Sequence, residues 1–413
     1  MKGIYSRIVL WALLITGFVP GHGQSMALHD GDRVVFYGDS ITAQRLYTRF
    51  VEDFVLTRYP NLHVSFVNAG VPGDTVNGGY TGDRATRLSR DLFPHQPTVV
   101  TIMLGMNDGY YMPFDPKYLD IFESGYRDLV KTIAAQSPSP RITLISPTPY
   151  DEVTHGTEFA HYNEVVSRHA AFVKELAASS RLGFSDVNQV VTNLLNAAQR
   201  ANPKLASLLV PDRIHPAEAS HWVMAAELGR TWGLSPVVSS VRIDAAQRGV
   251  KEAQRTQISG PDEKDGTLQW TQTDEALPLP LPLYNEMIQF VLGLSDLAAM
   301  DQQTLRVEGL SAAQYTLKID GRIIASFTRD QFAAGVNLAL YATPMQDQAK
   351  GVDGIELKRM GLDETSFVMS IEDPKVAGSA DAARAIEVKD AALLADERKE
   401  AQPKPHRFEL SPQ

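Results

Sequence analysis

The stretch Val34-Val35-Phe36-Tyr37-Gly38-Asp39-Ser40-Ile41-Thr42 decides how the rest of the chain is read. Four consecutive apolar residues suit a buried strand, they run into Gly-Asp-Ser, and a helical pattern follows. Open α/β sheets place their chemistry beyond the carboxyl ends of the strands, which is where a serine at a strand-to-helix turn would lie. A helix N-terminus also presents backbone N–H groups that favour nearby negative charge. Asp39 or Ser40 could equally serve only to cap the helix. This stretch alone does not separate the two accounts.

Outward from it, strands and helices alternate. Residues 43–58 carry a helical pattern with Leu46, Phe50, Phe54 and Leu56 at its apolar positions. Residues 63–67 read as the next strand and lead into Asn68-Ala69-Gly70-Val71-Pro72-Gly73-Asp74-Thr75. Residues 98–104 are apolar almost throughout, as expected of a parallel strand buried on both faces. Helix over 119–135, strand over 142–145, helix over 159–178, strand over 183–187 and helix over 189–201 follow. Asp212-Arg213-Ile214-His215-Pro216 then opens a last helix over 217–232. This order predicts a doubly wound α/β fold with a five-stranded, flavodoxin-like parallel sheet and right-handed crossovers.

The alternation stops near Pro236. Residues 237–265 are mixed and polar, with a strand expected at Val241-Arg242-Ile243. The Leu/Pro alternation from Leu277 to Leu283 cannot be an interior strand and reads as an extended, polyproline-like connector. Two-residue periodicity recurs at 305–308 and 315–319, and Asp320-Gly321 joins the latter to Ile323-Ile324-Ala325-Ser326-Phe327 as a hairpin. A small antiparallel β element is therefore expected, with helices beyond Asn337, an exposed helix over 382–401 and a loosely held stretch from Pro403. An isolated hairpin is marginal in water, so this region is expected to dock on the α/β domain.

At 413 residues the chain has room for two domains, and 44% apolar content supports a sizeable core. A net charge of -10 and a pI near 5.5 argue against nucleic acid as the main partner. Lys2 and Arg7 precede an apolar run from Ile8, and Gly21 and Gly23 suit cleavage before Gln24. Residues 1–23 are thus read as a signal peptide, 24–236 as the α/β domain and 237–413 as an accessory extension. The predicted destination is secreted or periplasmic, with no stable membrane span once the leader is cleaved, although retention of the leader as an anchor stays open. The sequence contains no cysteine, so neither a disulfide framework nor a thiolate metal site exists.

Four separated pieces remain to be explained together: Gly38-Asp39-Ser40, Gly73-Asp74-Thr75, Gly105-Met106-Asn107-Asp108 and Asp212-Arg213-Ile214-His215-Pro216. The first three each follow a predicted strand, and the fourth precedes the closing helix. In this order, over roughly residues 30–232, the set resembles the SGNH (GDSL-like) hydrolase family. Acyl transfer needs a nucleophile, a base, an orienter for the base and donors for a developing oxyanion. Ser40 fits the first role. His215 fits the second, because histidine is the residue type whose unperturbed pKa lies nearest neutrality. Asp212, three residues earlier, can reach the ring and fix its tautomer. The resemblance implies an oxyanion hole from the N–H groups of Ser40 and Gly73 and the amide of Asn107. Asp39, Asn68, Asp74 and Asp108 are expected to hold these loops by local hydrogen bonds.

The expected activity is hydrolysis of an acyl or acetyl ester on a small molecule or saccharide, with no cofactor and no metal; a carbohydrate deacetylase is favoured by the polar Asn77-Gly78-Gly79-Tyr80 loop. Two other classes compete with this reading. A metal-dependent phosphoesterase would need several His and Asp ligands, yet neither glycine-led motif has a second histidine beside it. A non-catalytic carbohydrate-binding protein would have no use for four intact blocks. Acyl group, alcohol and oligomeric state are not encoded in these patterns.

Overall fold

The computed structural model describes residues 26–157, 161–371 and 380–413. The leader read at 1–23 lies outside them. The central sheet comprises β1 (Arg33–Gly38), β2 (Ser65–Gly70), β3 (Val99–Met103), β4 (Arg141–Ile145) and β5 (Gly183–Ser185). Its order is β2-β1-β3-β4-β5 and every pairing is parallel. This is the doubly wound α/β arrangement predicted. Side chains of β1 alternate between faces as the strand period requires. Val34 and Phe36 join a core with Phe50, Phe54 and Trp222, whereas Val35 and Tyr37 join one with Phe122, Tyr126 and Phe172.

The helical stretch expected over 43–58 is broken. A single turn, α1 (Ser40–Ala43), is separated from α2 (Leu46–Arg58) by Arg45, whose φ of 62° is left-handed. The break turns the chain so that α1 can lie over the end of β2. Gly70 permits that contact, because a Cβ there would meet the Ala43 backbone nitrogen at 2.3 Å. Strand β2 begins at Ser65 rather than His63 and runs to Gly70. The longer helices that follow in this half are α3 (Pro116–Gln136), α4 (Tyr162–Ser180), α5 (Val187–Ala201) and α6 (Glu218–Thr231).

The extension is more β-rich than its sequence suggests. The polar stretch after Pro236 forms β6 (Val237–Asp244), β7 (Gly249–Gln254), β8 (Thr256–Lys264) and β9 (Thr267–Asp274). Further on come β10 (Gln302–Glu308), β11 (Gln314–Ile319), β12 (Arg322–Thr328) and β13 (Val336–Asn337). The stretch from Pro403, expected to be loose, instead provides β14 (His406–Pro412). It sits in the middle of an antiparallel sheet of order β8-β9-β14-β11-β12. A second sheet, β13-β10-β6-β7, includes the parallel pair β10/β6, so the element is neither small nor wholly antiparallel. The two sheets share one core containing Val241, Ile243, Leu305, Trp270, Leu317 and Phe408. The predicted hairpin is present: Asp320 and Gly321 both have positive φ (52° and 79°), as a type I′ turn requires.

The Leu/Pro segment is a seam rather than a free connector. The Leu277 N–H donates to the carbonyl of Thr57 on α2, and Leu279 and Leu281 are buried in the core of the α/β domain. The Leu281 and Leu283 N–H groups each donate to the carbonyl two residues back, the bond of a γ-turn. The extension's two long helices are α7 (Pro344–Ile371) and α8 (Ala380–Glu400). Arg359 of α7 meets Glu52 of α2 at 2.6 Å and Glu356 and Glu397 at 2.8 Å, all of them largely buried. Among the described residues no helix is long and apolar enough to cross a membrane.

Candidate active site

The register of the central sheet assembles the site. Gly38 is aligned with Gly70 on one side and Met103 on the other. The loops leaving these three positions carry Ser40, Gly73 and Asn107, so all three emerge at one edge. Asp39 is buried and caps α1, its Oδ1 accepting from the Ile41 N–H at 3.0 Å. Ser40 is the first residue of that helix, and its own N–H is among the donors that no helical carbonyl can reach.

The fourth block arrives from the far end of the domain. The Oγ–H of Ser40 lies 2.8 Å from His215 Nε2, and His215 Nδ1–H donates to Asp212 Oδ2 at 2.6 Å. The other carboxylate oxygen, Oδ1, accepts from the N–H groups of Ile214 at 3.0 Å and His215 at 2.7 Å. Partial burial works to raise the Asp212 pKa. The His215 N–H, ring and charge outweigh it and hold the carboxyl below its usual value. An anionic Asp212 leaves Nδ1 as the protonated ring nitrogen and Nε2 as the acceptor facing Ser40.

In the loop after β2, Gly73 adopts a φ of +75°, which favours glycine, and a Cβ there would meet nothing within 4 Å. Backbone angle rather than space therefore explains this glycine. The Asn107 amide is held at both ends. Its Nδ2 donates to the Asp74 carbonyl at 2.9 Å, and its Oδ1 accepts from the Tyr111 hydroxyl at 2.8 Å. One Nδ2 hydrogen is left to donate elsewhere. Tyr111 and its neighbour Tyr110 both have left-handed backbones, with φ of 57° and 53°, and the Tyr111 ring rests 4.9 Å from that of Tyr162. The grip of Tyr111 on Asn107 follows from a loop geometry that has no sequence signature.

The loops are tied down by buried polar contacts. Asn68 Nδ2 donates to the Thr42 carbonyl at 2.8 Å, and its Oδ1 accepts from the Gly70 N–H. Asp74 is gripped at 2.6 Å by Nε of Arg87, a fully buried residue not singled out in the sequence. Arg87 also donates to the Ala69 carbonyl and stacks over Tyr37. Asp108 Oδ1 accepts from the Val76 N–H at 2.9 Å, joining the second and third blocks. Burial pushes the Asp39 and Asp108 carboxyls up to about 7 each, and Asp74 is raised by burial against the pull of Arg87. Burial thus favours the uncharged form of both carboxyls and lessens the negative charge around these loops.

His169 and His221 have structural partners. His169 is buried, donates Nδ1–H to the Gly105 carbonyl at 2.8 Å and stacks on Phe122. His221 accepts from the Tyr47 N–H and meets Gln44 through Nε2. Burial lowers their pKa values to about 4 and about 3. Tyr111, Tyr150, His155 and Ile214 line a mainly apolar hollow of about 360 Å³ reaching Asp212.

Residues 36–223 match the model of the GDSL-like Lipase/Acylhydrolase family. An acetylxylan esterase of Geobacillus stearothermophilus is 28% identical over 236 residues, spanning 50% of this chain and 98% of the relative. Its crystal structure aligns at 26% identity over 51% of this chain and 98% of that one, with a TM-score of 0.42. A gut microbial diltiazem-metabolizing enzyme shares the fold over 94% of this chain and 98% of its own, with a TM-score of 0.81 and 24% identity. The α/β half is that of a carboxylic ester hydrolase. More narrowly, this domain belongs to the GDSL-like, or SGNH, hydrolase family.

Proposed function

We propose that the protein is an exported serine esterase that removes acetyl groups from a saccharide. The observation that carries the serine mechanism is the continuous hydrogen-bonded path Ser40–His215–Asp212 at 2.8 and 2.6 Å. The Ser40 oxygen attacks the ester carbonyl carbon while His215 Nε2 takes its proton, and Asp212 stabilises the resulting imidazolium. The carbonyl oxygen becomes an oxyanion and accepts from the Ser40 N–H, the Gly73 N–H and the free Nδ2 hydrogen of Asn107. Collapse breaks the C–O bond, and His215 returns the proton to the departing alcohol. Water, deprotonated by the same histidine, then cleaves the acyl-serine.

Acetyl as the acyl group, and a saccharide as the alcohol, are supported by the acetylxylan esterase relative, nearly all of whose length is matched. Export is supported by the charged-then-apolar pattern of residues 1–23. The test is a substrate panel: p-nitrophenyl acetate, its long-chain homologues and acetylated xylan, each assayed with and without a chelator. Acetate release from the xylan that ignores the chelator is expected. Loss of all activity on chelation would favour the phosphoesterase class, and preference for long acyl chains would overturn the acetyl assignment.

A further inference from the structure

A second hollow, of about 450 Å³, opens at the seam between the two halves. Leu46, Glu218 and Trp222 of the α/β domain form one wall, and Pro282, Tyr284 and Lys350 of the extension form the other. Its position relates it to the catalytic edge. Glu218 follows His215 by three residues, so their Cα atoms are at most about 11 Å apart. Leu46 and Glu218 both begin helices, α2 and α6, that start beside the Ser40 and His215 loops. An acetyl group at Ser40 would leave this volume unfilled.

The chemistry of the walls selects the occupant. Tyr284 is 86% exposed, more than any other large apolar residue described, and Lys350 Nζ lies 5.7 Å from its ring centroid. Glu218 is exposed on the facing wall. An aromatic face beside an ammonium donor and a carboxylate acceptor matches a pyranose, whose C–H face stacks on a ring while its hydroxyls accept and donate. We propose that this seam is a saccharide subsite, holding a sugar unit adjacent to the one whose acetyl group lies at Ser40. The inference rests on the esterase reading above. It gives the extension a role in substrate selection.

The test compares kcat/KM for an acetylated xylo-oligosaccharide with that for p-nitrophenyl acetate. Tyr284→Ala and Lys350→Ala should each lower this ratio about tenfold, mainly through KM on the oligosaccharide, and Tyr284→Trp should restore it. An unchanged ratio in both alanine variants overturns the subsite. A binding arm separates this inference from the esterase reading. Ser40→Ala protein should bind the acetylated oligosaccharide in calorimetry, and adding Tyr284→Ala should weaken binding by a similar factor. Equal affinity with and without Tyr284 overturns the subsite even where the wild type is a good esterase. A Tyr284-dependent affinity in a protein that cleaves no ester would support the subsite and sink the esterase reading.

Discussion

The Arg58 guanidinium and the Asp301 carboxylate meet at 2.9 Å with neither side chain exposed to solvent, one from the α/β domain and one from the extension. Asp301 also accepts from the Leu279 N–H at 3.0 Å, which fixes the Leu/Pro segment over α2. Burial drives Arg58 down and Asp301 up, to about 6, while the pair's attraction opposes both shifts.

Removing one partner strands the other charge. Asp301→Ala should therefore cost about 3–5 kcal/mol, whereas the double change Arg58→Met with Asp301→Leu should recover most of it. Urea denaturation measures both. A fragment ending after Trp232 should aggregate, because it exposes the surface that Leu279 and Leu281 cover. A cooperatively folding fragment with full turnover would refute the docking argument.

At the reaction centre, Ser40→Ala and His215→Ala should each reduce kcat by about 10⁴ or more, since members of such an array act as a unit. Circular dichroism should show the fold intact in both. Near wild-type turnover by Ser40→Ala would eliminate the covalent route.

Tyr111→Phe leaves the ring packing and removes only the bond to Asn107 Oδ1. The amide then rotates more freely, and kcat should fall about tenfold with little change in KM for a small ester. Asn107→Ala should lose about 10²–10³. A larger defect in Tyr111→Phe than in Asn107→Ala would show that the tyrosine acts other than through the amide.

The raised carboxyl of Asp108 makes stability depend on pH with a definite sign. Between its ordinary value of 3.8 and about 7 the folded protein binds more protons than the unfolded chain. Its contribution is therefore fully present below pH 4 and is lost as pH rises towards 7. Asp108→Asn keeps an oxygen for the Val76 N–H and cannot titrate. Relative to wild type, this variant should gain up to about 1.4 kcal/mol per pH unit across that window. Parallel stability curves for the two proteins at pH 4.5 and 7.5 would contradict a neutral Asp108.

The α/β half was legible because each strand announces itself by a run of apolar residues, and each loop of interest by a glycine beside a polar residue. Tyr111 and Arg87 were not, since what matters is where a left-handed loop and a buried guanidinium come to rest, and neither leaves a periodic trace. Residues 249–254 hid for another reason: β7 is nearly all exposed, so its strand carries no apolar alternation. Strand β14 did carry a signal, with buried Phe408 and Leu410 alternating with Arg407 and Glu409. Two apolar residues beside prolines are a faint one. Nothing in the sequence brings Glu52, Glu356 and Glu397 together; only the fold gathers them around Arg359.

The central position of β14 has a consequence for synthesis. Its neighbours in the sheet, β9 and β11, leave the ribosome long before residues 406–412 exist, and until then each exposes an unpaired edge. The β-rich half cannot close its sheet until the last residues emerge. During that interval two open strands face solvent, and any helper that delays their pairing with other chains, or any export route that carries the chain unfolded, works in the protein's favour.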